Sequence, residues 1–375
     1  MSLKKKPKII IDARMVAPAL NGIARYVLLL GKGLAKINQE KELPYEPIFL
    51  VNKYYFEKYS NEFFYENPNS FAGFQYEYVK ASFLNLPEVL EIPYVLKKLK
   101  ANLYHSTSFS SLLYCPCPHI ITLHDLNHLQ YGSWVKKKYY EIFVKRFALK
   151  AKQVTTVSEF SKKEIMSWLK IAEDKTLNFS EALDEEIKKP IPLENIQKTM
   201  QKFNLLPKEF FFCLSNSKPH KNVDFLVKAY TESKTQTPLV LSFSKERLQK
   251  TEGVRCLTKL SELDVKILLS QAKAVFFPSL YEGFGLPPLE AAAFGTPVIV
   301  SNIEPHLEGL SDLKETLFLD PTCLEVWVSA FQQADQNRIN PVSLQTTQET
   351  RQTIFERYDM TKFAQKMSGI YEKYL

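Results

Sequence analysis

Two glutamates, Glu282 and Glu290, stand with seven residues between them in Phe276-Phe277-Pro278-Ser279-Leu280-Tyr281-Glu282-Gly283-Phe284-Gly285-Leu286-Pro287-Pro288-Leu289-Glu290. The apolar run Ala274 to Phe277 has strand character and Gly283 and Gly285 supply a turn. A helix is expected to start at Leu286 to Pro288, where proline's missing N–H would be unpaired anyway. With Gly295 as helix stop and Pro297 to Val300 as a second strand, the segment reads as one βαβ crossover of a parallel sheet. The N–H groups of such a helix start favour an anion, and Gly285 lets the backbone come close to it. A phosphate seated on Phe284, Gly285 and Leu286 is the expected guest. A carboxylate beside it is unfavourable, so Glu282 suits sugar hydroxyls, whereas Glu290, one turn into the helix, suits the two hydroxyls of a ribose.

Further candidates fall where other strands end. Lys218 and Lys221, in Ser215-Asn216-Ser217-Lys218-Pro219-His220-Lys221-Asn222, precede a helix from Val223 and can neutralise a diphosphate. Asn21-Gly22 follows the first strand, Lys8 to Ala13, and opens a helix from Ile23 to about Ile37, which makes Gly22 a second helix-start anion site. His119 to Leu123 is a short strand ending in His124-Asp125, and ligands of open α/β sheets sit beyond the carboxyl ends of strands. His105 and His128 read as residues surrounding a site.

The elements that would position these groups alternate strand and helix throughout. Pro47 to Val51, Leu103 to His105, Val154 to Val157, Phe210 to Leu214 and Leu239 to Phe243 read as strands, and Thr258 to Ala272 and Cys323 to Ala334 as helices. Asn52 to Gln75 has no clear period and reads as loops and short elements, while Arg351 to Leu375 reads as one helix with Phe355, Phe363, Met367, Ile370, Tyr371 and Leu375 on a common side. A length of 375 residues suits two domains, and the proline-bearing, charged segment Ala182 to Pro207 has linker character, which places the boundary near residue 190.

Hydrophobic content of 45% and charged content of 24% describe a globular protein, with no apolar run long enough for a membrane span and no signal peptide. Five cysteines without zinc spacing point to a reduced, cytoplasmic chain. The net charge of +8 suits an anionic substrate, an anionic membrane or nucleic acid alike. Nucleic acid is disfavoured because the basic residues lack interleaved aromatic platforms. Ser133 to Lys152 carries Lys136, Lys137, Lys138, Lys145, Arg146, Lys150 and Lys152 against one acid, Glu141, with Val135, Tyr139, Ile142, Phe143 and Phe147 as its expected buried stripe. Its basic face, with Lys4 to Lys6, reads either as solvated or as resting on anionic lipid at the inner face of the cell membrane.

The E-x7-E segment in this wording resembles the motif of the family 4 (group 1) glycosyltransferases, retaining enzymes of GT-B fold that use nucleotide sugars. Ile11-Asp12-Ala13-Arg14 with Gly22-Ile23-Ala24-Arg25-Tyr26, the His124-Asp125 pair and the Lys218-Pro219-His220-Lys221-Asn222 loop resemble the same family. The resemblance implies two Rossmann-like doubly wound domains facing each other across a cleft: an acceptor domain at 1–189, a donor domain at 190–359, and a tail at about 360–375 packing back on the first. It implies that His124 contacts the transferred sugar, that Glu282 holds it, and that Lys221 and Lys218 grip the donor phosphates. It also implies transfer from a nucleoside-diphosphate sugar, GDP-mannose first, to a glycan or lipid-linked acceptor in cell-surface polysaccharide synthesis. No Asp-x-Asp of the metal-holding kind is present, so no metal and no cofactor beyond the donor substrate is expected. Many family members have a glycine-arginine pair where this chain has Ser215-Asn216, and a glycine-bearing loop where it has Ser244-Lys245-Glu246-Arg247. These departures leave open a nucleotide-sugar 2-epimerase of the same fold, or an inactive scaffold.

Overall fold

The computed structural model describes residues 5–16, 22–55, 74–82, 87–313, 316–339 and 344–375. The chain forms two compact units, Met1–Ala182 with Tyr358–Leu375, and Leu183–Arg357. The division thus falls between Ala182 and Leu183, ahead of the boundary expected near residue 190.

The first unit holds strands β1 (Lys8–Asp12), β2 (Glu46–Asn52), β3 (Gln75–Val79), β4 (Leu103–Ser106), β5 (His119–Thr122), β6 (Gln153–Thr156) and β7 (Thr176–Asn178). They pair in the order β3-β2-β1-β4-β5-β6-β7, all parallel. The second unit holds β8 (Phe211–Cys213), β9 (Leu239–Leu241), β10 (Val254–Cys256), β11 (Ala274–Phe277), β12 (Val298–Ser301) and β13 (Thr316–Leu319). Their order is β10-β9-β8-β11-β12-β13, again all parallel. Parallel strands are covered by helices on both faces, which is why β1, β8, β11 and β12 are written as nearly unbroken runs of Ile, Val and Phe. Both orders are doubly wound, with the chain reversing direction between β1 and β4 and between β8 and β11. Those two switch points are where such sheets bind ligands.

The helix Met360–Lys373 belongs to the first unit and lies against the helix Gly22–Glu40. Gly33 makes the close crossing: a Cβ there would stand 2.5 Å from Ala364 Cβ and 2.9 Å from the Met360 carbonyl. Tyr371 pins the helix further, its hydroxyl 2.6 Å from His105 Nδ1, while His105 Nε2 lies 2.8 Å from Thr122 Oγ1. Burial pushes His105 down to about 3 and keeps the ring neutral, so this histidine is an internal strut.

Three expectations are corrected. The basic segment is helical over Trp134–Tyr139 and Lys145–Lys150 with a π turn at Tyr140–Val144 between them. The wider turn inserts a residue into the helical count and rotates the register. The buried positions are consequently Tyr140, Val144, Phe147 and Ala148, whereas Val135 is 68% and Ile142 55% exposed, with Phe143 also exposed. The expected linker contains a helix, Leu193–Phe203, begun after Pro192 and ended by Asn204 in a left-handed conformation. It docks through Lys202 Nζ, 2.7 Å from Asp264 Oδ2 on the helix Glu262–Gln271. Lastly, the tail is two helices, Leu344–Arg357 and Met360–Lys373. The Asp359 side chain accepts the Lys362 N–H as a cap, so Phe355 falls in the second unit. Lys4, Asn21 and most of the 52–75 segment lie outside the described residues.

Tyr371→Phe is expected to strand one buried nitrogen of His105 and to cost about 1–3 kcal/mol. Urea unfolding compared with wild type measures it, and an unchanged midpoint would remove Tyr371 as the pin.

Candidate active site

In the second unit the polypeptide leaving β8 runs through Ser215–Lys218 into a short 3-10 turn, Pro219–Lys221, and then the helix Val223–Ser233. The polypeptide leaving β11 runs through Pro278–Phe284 into the helix Leu286–Ala293. Because β8 and β11 are neighbours, the two loops meet: Lys221 Nζ lies 2.6 Å from Glu282 Oε1. Ser279 Oγ donates to the same oxygen at 2.6 Å, which leaves Oε2 outside both bonds. Burial opposes the charge on Glu282, but the Lys221 ammonium and the Ser279 hydroxyl together hold its carboxyl below the usual range. The site thus keeps a partly buried carboxylate ionised and aimed by a cation across a switch point.

Gly285 precedes the first helical residue with φ +114, which an L side chain rarely adopts. A Cβ there would also stand 3.1 Å from His306 Cδ2. Pro287 and Pro288 carry no N–H, so the backbone donors at this helix start are those of Gly285 and Leu286, with Phe284 just ahead. Leu289 N–H already bonds the Gly285 carbonyl at 3.4 Å. Lys218 is exposed, its N–H bonded to Asn216 Oδ1 at 3.0 Å. Glu290 sits in the second turn of the same helix, only 2% exposed. The structure therefore brings Lys221, Glu282, Phe284, Gly285 and Leu286 together on two loops, with Lys218 on the outer side and Glu290 covered within the helix.

In the first unit Gly22 starts its helix, and a Cβ there would meet no atom of the described residues within 4 Å. Four residues on, Tyr26 stands edge-on to His124, ring centroids 4.9 Å apart. His124 is engaged at both nitrogens: Nε2 donates to the Thr107 carbonyl at 3.0 Å, and Nδ1 is 3.3 Å from Glu181 Oε1. Asp125 accepts the Asn127 N–H at 2.9 Å and turns the chain into the short helix Asn127–Gln130. At the β1 end, Arg14 is buried between Asp12, at 2.7 Å, and Glu88, at 3.0 Å, and Tyr104 donates to Asp12 at 2.8 Å. Burial works against both acids; Arg14 outweighs it at Asp12, and burial prevails at Glu88, whose carboxyl is raised.

Sequence reasoning noted Asp12-Ala13-Arg14 and the Pro305-His306-Leu307-Glu308 segment only as resembling the family, and gave no site role to Glu181, to Arg14 with Glu88, or to His306. His306 follows β12, next to β11, so the rule that ligands gather beyond strand ends was the available signal. Glu181 had none, because its contact with His124 joins positions far apart in sequence. Among the described residues no group of three or more His, Cys, Asp or Glu side chains is placed to hold a metal ion.

A carboxyl depressed by folding stabilises the native state above its unfolded value and ceases to do so as pH falls through the folded one. Wild type is therefore expected to exceed Glu282→Gln in unfolding free energy at neutral pH, with the gap closing as pH drops below about 4.3. Paired denaturation curves over that range measure it; a gap that stays constant would show that Lys221 does not hold an ionised Glu282.

Two family profiles match the chain: "Glycosyl transferases group 1" over residues 195–352 and "Glycosyltransferase Family 4" over residues 20–177. The O-antigen chain mannosyltransferase RfbU of Salmonella typhimurium is 30% identical over 58% of this chain and 60% of its own length. The O-antigen chain mannosyltransferase B of Escherichia coli is 26% identical over 81% of this chain and 85% of its own. The serotype-specific mannosyltransferase WbdA of Escherichia coli is 31% identical, but the chain spans only 26% of it. Among solved structures, Anabaena HepE in complex with UDP-glucose superposes with a TM-score of 0.73 at 14% identity, covering 98% of this chain and 99% of that one. WaaG, a glycosyltransferase involved in lipopolysaccharide biosynthesis, does so with 0.67 at 11%, covering 97% and 99%. These likenesses show the GT-B fold, and with the two profiles spanning both units the chain belongs to the group 1, family 4 glycosyltransferases.

Proposed function

We propose that this chain transfers a hexosyl group, with retention of configuration, from a nucleoside-diphosphate sugar to a glycan or lipid-linked acceptor in cell-surface polysaccharide synthesis. The observation that carries the reading is Lys221 bound to Glu282 across the β8–β11 switch point, beside the helix that Gly285 starts. The leaving group is a diphosphate, so the useful work is to stabilise the charge that grows on it. Lys221, Lys218 and the N–H groups of Phe284, Gly285 and Leu286 supply that; Glu282 offers Oε2 to the sugar hydroxyls, Glu290 the ribose contact and His124 a contact to the sugar. No side chain need act as base where the departing phosphate oxygen takes the acceptor's proton on the same face. GDP-mannose is the first donor candidate, supported by relatives whose names are mannosyltransferases. A thermal-shift panel of nucleotides and nucleotide sugars tests the site, since a ligand at about 100 times its Kd adds about 2.7 kcal/mol. GDP and GDP-mannose are expected to stabilise the protein, and transfer to persist in a chelator and to be lost in Glu282→Ala. No stabilisation by any nucleotide would sink the reading.

The acceptor side is linked to the basic helical segment. Trp134, Val135, Ile142, Phe143 and Leu149 are exposed among Lys136, Lys137, Lys138, Arg146 and Lys150. The one acid, Glu141, is already engaged by Trp168 Nε1 at 2.7 Å and Lys145 at 3.5 Å. An apolar face rimmed by unopposed cations matches the boundary of an anionic bilayer, where each Lys or Arg contributes about 1 kcal/mol. No helix among the described residues is long and apolar enough to cross a membrane, so the contact is peripheral. Sedimentation with phosphatidylglycerol vesicles is expected to capture the protein and to shift Trp134 emission to the blue. Lys136→Glu/Lys137→Glu/Lys138→Glu is expected to weaken capture at least a hundredfold, about 3 kcal/mol or more. Equal capture by purely zwitterionic vesicles would refute it.

A further inference from the structure

His306 is the one histidine in the second unit's site whose ring is left half satisfied. It is 1% exposed, and its Nδ1 lies 2.9 Å from the Ser301 carbonyl. A carbonyl only accepts, so Nδ1 carries the proton and Nε2 presents a lone pair. That Nε2 is buried with no hydrogen-bond partner. It lies 3.6 Å from where a Cβ on Gly285 would stand, directly behind the start of the helix Leu286–Ala293. Leaving such an atom unpaired costs stability, and its retention needs a reason. The charges acting on the ring are Glu282, from the loop after β11, and Lys221, from the loop after β8. Glu290 lies on the adjoining helix and Glu304 and Glu308 on its own, where Arg357 binds the Glu308 carbonyl at the far end.

Lys221 faces two claims it cannot meet together. Its ammonium is 2.6 Å from Glu282, and the reading above requires it to grip a diphosphate. Drawing it away would strip a partly buried carboxylate of its cation, a costly step unless another charge arrives. Pro287 and Pro288 sharpen the conflict, because the helix start lacks two N–H groups with which it could bind the anion without Lys221.

We propose that Lys221 and His306 exchange as the cation that balances Glu282: when a diphosphate takes the Lys221 ammonium, His306 takes one proton from solvent onto Nε2. The lone pair kept bare behind Gly285 is the seat for that proton, and donor binding consumes one proton per site. His306 is in this sense a positioning residue, acting through Glu282. Burial pushes its basicity down while Lys221 is in place, which keeps the seat open; Glu282 pulls the other way. The exchange rests on the proposed diphosphate site, but its first half can be tested without any ligand.

Imidazole NMR follows the chain's six histidines, and His306→Gln identifies the relevant signal. In wild type the His306 midpoint is expected to lie below that of an ordinary histidine, because the ring is buried. In Lys221→Met its midpoint is expected to rise by about one pH unit or more, and in Lys221→Met/Glu282→Gln the rise is expected to vanish. The other five histidine signals report whether each variant is folded; should Lys221→Met not fold, Lys221→Gln serves in its place. Calorimetry with GDP or inorganic pyrophosphate, in buffers of different ionisation enthalpy, is expected to show uptake of about one proton in wild type and none in His306→Gln. An unmoved His306 signal in a folded Lys221 variant overturns the exchange, as does uptake that persists in His306→Gln. If neither GDP nor pyrophosphate binds, the diphosphate site fails while the ligand-free titration still decides whether His306 answers to Lys221.

Discussion

The order β10-β9-β8-β11-β12-β13 leaves the carboxyl ends of β8 and β11 side by side, while the helices that follow them pack with different neighbours: Val223–Ser233 with Leu324–Asp335, and Leu286–Ala293 with Glu262–Gln271. Two exit loops therefore converge beyond the ends of paired strands, and Lys221 meets Glu282 there. An ion pair in such a place is worth little as a source of stability, since desolvation consumes much of its attraction. Its importance is positional. It fixes one carboxylate oxygen, leaves the other outside its bonds, and stores a cation next to a helix start.

That helix start is poorer in donors than its glycine suggests. A first turn normally presents several unpaired N–H groups, and here Pro287 and Pro288 remove two of them. In the proposed diphosphate site the burden of neutralising the anion would shift to side chains. His306, packed against Gly285 with one nitrogen unsatisfied, takes part in the proposed exchange. The first unit solves a related problem differently: the Arg14 guanidinium is locked between Asp12 and Glu88, and His124 between Thr107 and Glu181. These groups are held rather than spared.

The β11–helix–β12 unit was legible in the sequence because each device in it is local: a run of apolar residues buried on both faces, a glycine at a positive φ, prolines where N–H groups are expendable. Where the reading went astray, a local rule met a contrary local detail. The stripe expected at Val135, Tyr139, Ile142, Phe143 and Phe147 assumed an unbroken 3.6-residue period; the π turn at Tyr140–Val144 interrupts it, and of the five only Phe147 is fully buried. The segment around Pro190 and Pro192 looked like a linker because prolines flank it, yet Pro192 only opens a helix whose anchor, Asp264, lies in a distant element. Glu181 beside His124 is a tertiary fact that no spacing along the chain announces, and for His306 behind Gly285 the chain offers only its place after a strand end.

The helix Met360–Lys373 completes the first unit from beyond the second, sealing Gly33 and supplying the hydroxyl that His105 binds. On the ribosome, the early strands can pair long before that helix exists, because the whole of Leu183–Arg357 must be made in between. At about 5–20 residues per second the delay is on the order of ten to forty seconds. For that interval the groove along Gly22–Glu40 lies open with its apolar side exposed, so the nascent protein passes through a stage that a chaperone would recognise and that a chain truncated before Met360 would never leave.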